Sequence, residues 1–171
     1  MAREPRGNGS QFLARKSELA KARHGKQQTF SDILIVEDEA MDADRLRATL
    51  RAMFGYDLSV RRATTLGSAL DCVIERKPDL IFLDDHLPPK DNASLTIPFL
   101  RRCNYDGPIV IVSGMLTPKR AAELTRAGAA AAMHKDKVDS GSIEEALAKV
   151  VEAMTKPAEA QPADDKPVDA G

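Results

Sequence analysis

The chain has 171 residues, 43% hydrophobic and 30% charged, with a formal net charge of −1. This size and apolar content fit one compact domain with tails, and the balanced charge excludes a chain-wide electrostatic affinity for nucleic acid or anionic membranes. No apolar run approaches the roughly 18 residues of a membrane span, and the N-terminus lacks the apolar core of a secretory signal. Cys72 and Cys103 have neither CxxC spacing nor a clustered histidine and read as reduced, half-buried thiols.

Residues 1–30 hold seven basic side chains (Arg3, Arg6, Arg15, Lys16, Lys21, Arg23 and Lys26) against Glu4 and Glu18. They read as a basic N-terminal extension, flexible at its Gly-Asn-Gly start and with a short helix at 12–23. Residues 31–154 form the folded part. Residues 155–171, rich in Pro, Ala and Asp, have almost nothing to bury and are expected to form a disordered tail.

Within the folded part, Ile33 to Val36 make an apolar run too short for a helix, which predicts a buried strand. Residues 42–54 follow with Leu46, Leu50, Met53 and Phe54 on one helical stripe. A second strand at 58–63 carries Arg61 and Arg62, which point to an outer position. The helix predicted at 65–77 has Leu66, Leu70 and Val73 or Ile74 at helical spacing and stops at Pro78. Residues 80–83 are a third buried strand. A shorter helix covers 95–103, with Pro98 expected to delay its start. A fourth strand spans 109–112, and Pro118 opens a helix at 118–127 that Gly128 ends. The alanine-rich stretch 129–134 is the fifth strand. The last helix, 143–154, has Ser142 and Glu145 as an expected capping box and Ile143, Leu147, Val150, Val151 and Met154 as its buried stripe.

Five strand–helix repeats predict an α/β fold, a parallel sheet covered on both faces. Chemistry in such sheets sits beyond the carboxyl ends of the strands. Those positions hold Glu37 and Asp38 after the first strand, Asp84 and Asp85 after the third, Ser113 after the fourth and Lys135 after the fifth. Two carboxylates about 4 Å apart repel by about 4 kcal/mol at an effective dielectric near 20. Such a cluster needs countercharge from Lys135 and from a divalent cation, and an all-oxygen donor set suits Mg²⁺. An aspartate beside a cation, a lysine and a hydroxyl is also equipped to receive a phosphoryl group. Asp85 reads as a surface neighbour of Asp84, and the side chain of His86 as exposed.

The stretches ILIVEDE (33–39), PDLIFLD (78–84) followed by LPP (87–89), PIVIVSG (108–114) and GAAAAMHK (128–135) resemble the receiver domains of two-component response regulators. Each is weak alone, but the four occur in order over residues 32–153. The resemblance implies a doubly wound, five-stranded parallel sheet of flavodoxin-like type. It implies Asp84 as phosphoacceptor, Ser113 as switch hydroxyl and Lys135 as the phosphoryl contact. It also implies Glu37, Asp38, Asp84 and the backbone carbonyl of His86 as ligands of Mg²⁺ or Mn²⁺. A receiver is a phosphoacceptor that assists its own phosphorylation and dephosphorylation rather than a conventional enzyme. The implied partners are a sensor histidine kinase or phosphotransfer protein and a downstream protein effector, in a bacterial cytoplasm, with no DNA-binding domain and no membrane. Dimerisation and partner binding through the fourth helix, fifth strand and fifth helix make Arg120, Glu123 and the exposed side of the last helix candidate contacts.

Four positions depart from the family. Ala132 replaces the usual aromatic three residues before the lysine. Asp136 replaces the usual proline after it, so a trans bond and a re-routed loop are expected. Asn92 stands at the usual turn glycine, where it tolerates left-handed geometry, and Pro98 is expected to confine the third helix to a late start. Three other functions compete. A metal-dependent aspartyl phosphatase needs a second aspartate where His86 stands. A flavin mononucleotide binder needs a phosphate loop where Glu37, Asp38 and Glu39 would repel it. A receiver-like scaffold that no longer uses phosphorylation is the third.

Overall fold

The computed structural model describes residues 30–88 and 91–155. The expected basic extension, apart from Phe30, and the tail beyond Thr155 lie outside them. The elements in chain order are β1 (Asp32–Val36), α1 (Ala40–Phe54), β2 (Ser59–Ala63), α2 (Leu66–Glu75), β3 (Leu80–Asp84), α3 (Ala93–Arg102), β4 (Ile109–Ser113), α4 (Pro118–Arg126), β5 (Ala131–His134) and α5 (Ser140–Thr155). A two-residue antiparallel bridge, His86–Leu87 with Asp91–Asn92, follows β3, and a 3-10 turn, Lys135–Lys137, follows β5.

The five long strands form one parallel sheet in the order β2-β1-β3-β4-β5. The order reverses between β1 and β3, so the crevice of this doubly wound sheet opens above their carboxyl ends. Every residue of β1, β3 and β4 is buried, as expected of inner parallel strands covered on both sides. β2 is an edge strand, as its arginines foretold. Arg61 reaches Asp32 with Nη2 at 2.8 Å, and Arg62 turns towards the carboxyl end of β1.

Side chains alternate along a strand, so the sheet has two apolar faces. Ile33, Ile35, Phe82, Val110, Val112 and Met133 pack with Leu46 and Leu50 of α1 and Ile143, Leu147 and Val150 of α5. Leu34, Val36, Ile81, Leu83, Ile109 and Ile111 pack with Val73 of α2, Ile97 and Leu100 of α3 and Leu124 of α4. The core is thus two layers on one sheet, and the parity of a residue decides which layer it joins.

Several expectations are corrected. α3 starts at Ala93, not later, although Pro98 lies inside it. The Asn92 side chain caps Leu95 N at 3.2 Å, and Ala93 N donates to Asp85 O, so the first turn is anchored independently of the proline. Asn92 is extended (φ −111°), not left-handed, because a cap residue has strand-like dihedrals. The capping box at Ser142 and Glu145 does not form. α5 begins at Ser140, Ser142 N donates to Asp139 Oδ1 at 2.8 Å, and Glu145 instead pairs with Lys149. Val151 and Met154 are exposed, and Ala146 takes their place in the buried stripe. In α2, Val73 is buried and Ile74 exposed. Gly128 has φ +106°, the left-handed region an L side chain avoids, which ends α4 beside β5.

Candidate phosphoacceptor site

Strand register brings the acids together. Val36 pairs with Leu83 and Asp84 with Val112, so Glu37, one residue beyond Val36, is level with Asp84. Parity then sorts the side chains. Glu37 and Asp84 follow the α1–α5 face, and Lys135, two residues after Met133, joins them. Lys135 Nζ lies 2.7 Å from Glu37 Oε2, 3.0 Å from Asp84 Oδ2 and 3.3 Å from Asp42 Oδ2. Glu37, Asp38 and Asp84 each offer a carboxylate oxygen within 4.8 Å of the others. Glu37 and Asp84 are buried at 5% exposure each, while Asp38 is exposed at the mouth.

Burial pushes the carboxyls of Asp84 and Glu37 above their ordinary values, against the opposing pull of Lys135. Burial also works against the charge on Lys135, but hydrogen bonds to Glu37 and Asp84 outweigh it and hold the ammonium well above its usual range. Three clustered carboxylates with Asp42 behind them face a single ammonium. The excess negative charge and the all-oxygen donors fit a small, hard divalent cation. The backbone of His86 lies beside Asp84, since its N–H donates to Asp84 Oδ1 at 3.2 Å.

Three supporting residues carry no strong sequence signal. Arg62 Nε donates to Glu37 O at 3.0 Å and Arg62 Nη2 to Asp38 O at 2.8 Å, fixing the loop that presents both acids. Asp42, in the first turn of α1, is the third partner of Lys135. Arg45 Nη2 donates to Lys135 O. Asp42 and Arg45, three residues apart in the sequence, share one side of α1, but only the packing of that helix shows which side faces β5.

The other parity class makes a second polar group. Asp85 is fully buried, which corrects the expectation of a surface residue. Arg120 grips it in a bidentate pair, Nη2 to Oδ1 at 2.6 Å and Nε to Oδ2 at 2.9 Å. Burial alone would raise the Asp85 carboxyl, but the Arg120 guanidinium holds it below the usual range. Arg120 is therefore turned inward rather than offered to a partner. Ser113 is fully buried and donates its hydroxyl to Asp85 Oδ2 at 3.4 Å, not to Asp84. Ala132 is half-buried. Beyond it the chain enters the 3-10 turn, where Asp136 N donates to His134 Nδ1 at 3.2 Å. Both cysteines are free and half-buried.

The profile of the response regulator receiver domain family matches residues 33–148. The chain belongs to that family. Among solved structures, the signal receiver domain of a DNA-binding response regulator (merR) from Colwellia psychrerythraea 34H is 24% identical with a TM-score of 0.60, covering 71% of this chain and 98% of that one. A two-component response regulator from Clostridium difficile is 17% identical with a TM-score of 0.62, covering 74% and 99%. NtrX from Brucella abortus is 25% identical with a TM-score of 0.59; the match covers 72% of this receiver domain's chain and 28% of that protein. No curated protein sequence matches. Among the described residues of this receiver domain, no helix is long and apolar enough to cross a membrane.

Proposed function

We propose that this receiver domain accepts a phosphoryl group on Asp84 from a histidine kinase or phosphotransfer protein and so switches its contacts with a protein effector. The observation that carries this reading is the Lys135 ammonium shared by Asp84 and Glu37, with Asp38 alongside. An Asp84 carboxylate oxygen attacks phosphorus, and the bond from phosphorus to the donor breaks with its electron pair leaving on the donor. The product is an acyl phosphate on Asp84. Lys135 neutralises charge on the phosphoryl oxygens, and Arg62 holds the 37–38 loop in place. Glu37, Asp38, Asp84 and the His86 carbonyl would hold Mg²⁺ or Mn²⁺, which supplies charge neutralisation when bound. Ser113 supplies a hydroxyl for a phosphoryl oxygen. His86 and Met115, both exposed, flank the way in for hydrolytic water.

Incubation with acetyl phosphate and Mg²⁺ tests the reading. The expected product is an acid-resistant, base-labile adduct mapped to Asp84 by mass spectrometry and absent from Asp84→Asn. A protein that stays unmodified under conditions where Mg²⁺ binds would instead be a receiver-like scaffold. Pull-downs with wild type and Asp84→Ala, with and without phosphodonor, then identify phosphorylation-dependent partners.

A further inference from the structure

The Asp85–Arg120 pair joins three elements. Asp85 leaves the end of β3, and its backbone carbonyl accepts from Ala93 N at 3.0 Å, where α3 begins. Arg120, in the first turn of α4, also donates from Nη1 to Ser94 Oγ at 3.2 Å and to Glu123 Oε2 at 3.1 Å. One guanidinium thus ties the acceptor loop to the starts of α3 and α4. Of the polar groups here, the Ser113 hydroxyl is the loosest. Its 3.4 Å contact with Asp85 Oδ2 is long for an O–H donor, and the hydroxyl oxygen Ser113 Oγ itself accepts from Met115 N at 3.3 Å.

A serine hydroxyl has a single proton to donate. It is given either to Asp85 or to an oxygen near Asp84, whose strand partner Val112 directly precedes Ser113. A phosphoryl oxygen is a charged acceptor free to approach to ordinary hydrogen-bond length, whereas each Asp85 oxygen already accepts a shorter bond from Arg120.

We propose that Asp85 and Arg120 are positioning residues that sense the state of Asp84: the Ser113 hydroxyl rests on Asp85 in the free protein and leaves it when Asp84 carries a phosphoryl group, and the loss is felt by Arg120 and hence by α4. This inference rests on the reading of Asp84 as phosphoacceptor.

The test follows the Arg120 Nε–H signal by ¹⁵N NMR in the full chain with Mg²⁺, before and after addition of beryllofluoride, a stable stand-in for the phosphoryl group. In wild type its exchange with water falls about two-fold, because Asp85 Oδ2 loses a competing donor worth the low end of one hydrogen bond and is left to Arg120. Ser113→Ala, which removes a single oxygen atom, exchanges more slowly from the outset and shows no further fall. Ser113→Thr keeps the hydroxyl and responds as wild type does, which separates loss of the proton from general loosening. An Arg120 signal indifferent to beryllofluoride in wild type, or moving equally in Ser113→Ala, overturns the proposal. Mass spectrometry of acetyl phosphate-treated wild type is the separate arm. Absence of an Asp84 adduct there defeats the phosphoacceptor reading itself, whereas an adduct with a silent Arg120 defeats only the sensing role.

Discussion

Asp84 and Asp85 are chain neighbours whose carboxylates are held by different cations on opposite faces of the sheet: Asp84 Oδ2 lies 3.0 Å from Lys135 Nζ, and Asp85 Oδ1 lies 2.6 Å from Arg120 Nη2. The period of two along β3 separates them, and each therefore has its own chemistry.

For Asp85, truncating the partner should be costly. Arg120→Leu leaves a fully buried carboxylate without its cation, which costs about 3–5 kcal/mol. Replacing both, Asp85→Leu with Arg120→Met, should recover most of that loss because no unpaired charge remains. Urea unfolding of the two variants checks this, and equal destabilisation in both would show that the pair acts through packing alone.

For the acidic cluster, the expectation is stabilisation by cation. At a Mg²⁺ concentration about a hundred times its Kd, wild type gains about 2.7 kcal/mol. Calorimetry should show a raised Tm for wild type and little change for Asp38→Ala or Asp84→Asn. A rise of the same size in all three would place Mg²⁺ elsewhere.

The pH dependence of the metal-free protein runs opposite to the usual carboxylate pattern. Glu37 and Asp84 are raised above ordinary values of 4.5 and 3.8, so the folded state binds more protons than the unfolded state between the two sets of values. Stability is lost as pH rises through that window, and the cost is complete above the folded values. Asp84→Asn should therefore be more stable than wild type near pH 7, with the advantage vanishing below about pH 4. Thermal unfolding across pH without Mg²⁺ measures it. Asp85, held low by Arg120, has the other sign: its stabilisation is full above an unfolded value near 3.8 and is lost as pH falls through the lower folded value.

His86, two residues after Asp84, and Met115, two residues after β4, are both exposed. The double change His86→Ala, Met115→Ala should shorten the lifetime of the Asp84 adduct by admitting water, read as the decay of intact-mass signal after removal of phosphodonor. An unchanged decay rate removes their shielding role.

Gly107 tests the packing below the sheet. A Cβ there would stand 2.5 Å from the Tyr105 hydroxyl, and that side chain is buried with its O–H donating to Pro108 O at 2.9 Å. Gly107→Ala should cost about 1–3 kcal/mol in denaturant unfolding, since the ring has no free space into which to move.

The strands and helices were legible in the sequence because apolar runs in 33–36, 80–83 and 109–112 and the 3.6-residue stripes of the helices are local signals. Helix starts were less so. The onset of α3 depends on Asn92 and on Asp85 O, and that of α5 on Asp139, contacts that propensity alone does not rank above Pro98 or the Ser142–Glu145 pattern.

By itself the sequence determined the alternation of strand and helix and the placing of acids, hydroxyl and lysine at strand ends, because these depend on spacing along one chain. Only the tertiary structure decided which of them meet. Register across separate strands set Glu37 level with Asp84, helix packing brought Asp42 and Arg45 to Lys135, and α4 carried Arg120 inward to Asp85, taking the Ser113 hydroxyl with it. Those pairings join residues far apart in the chain, and nothing in local pattern encodes the distance between them.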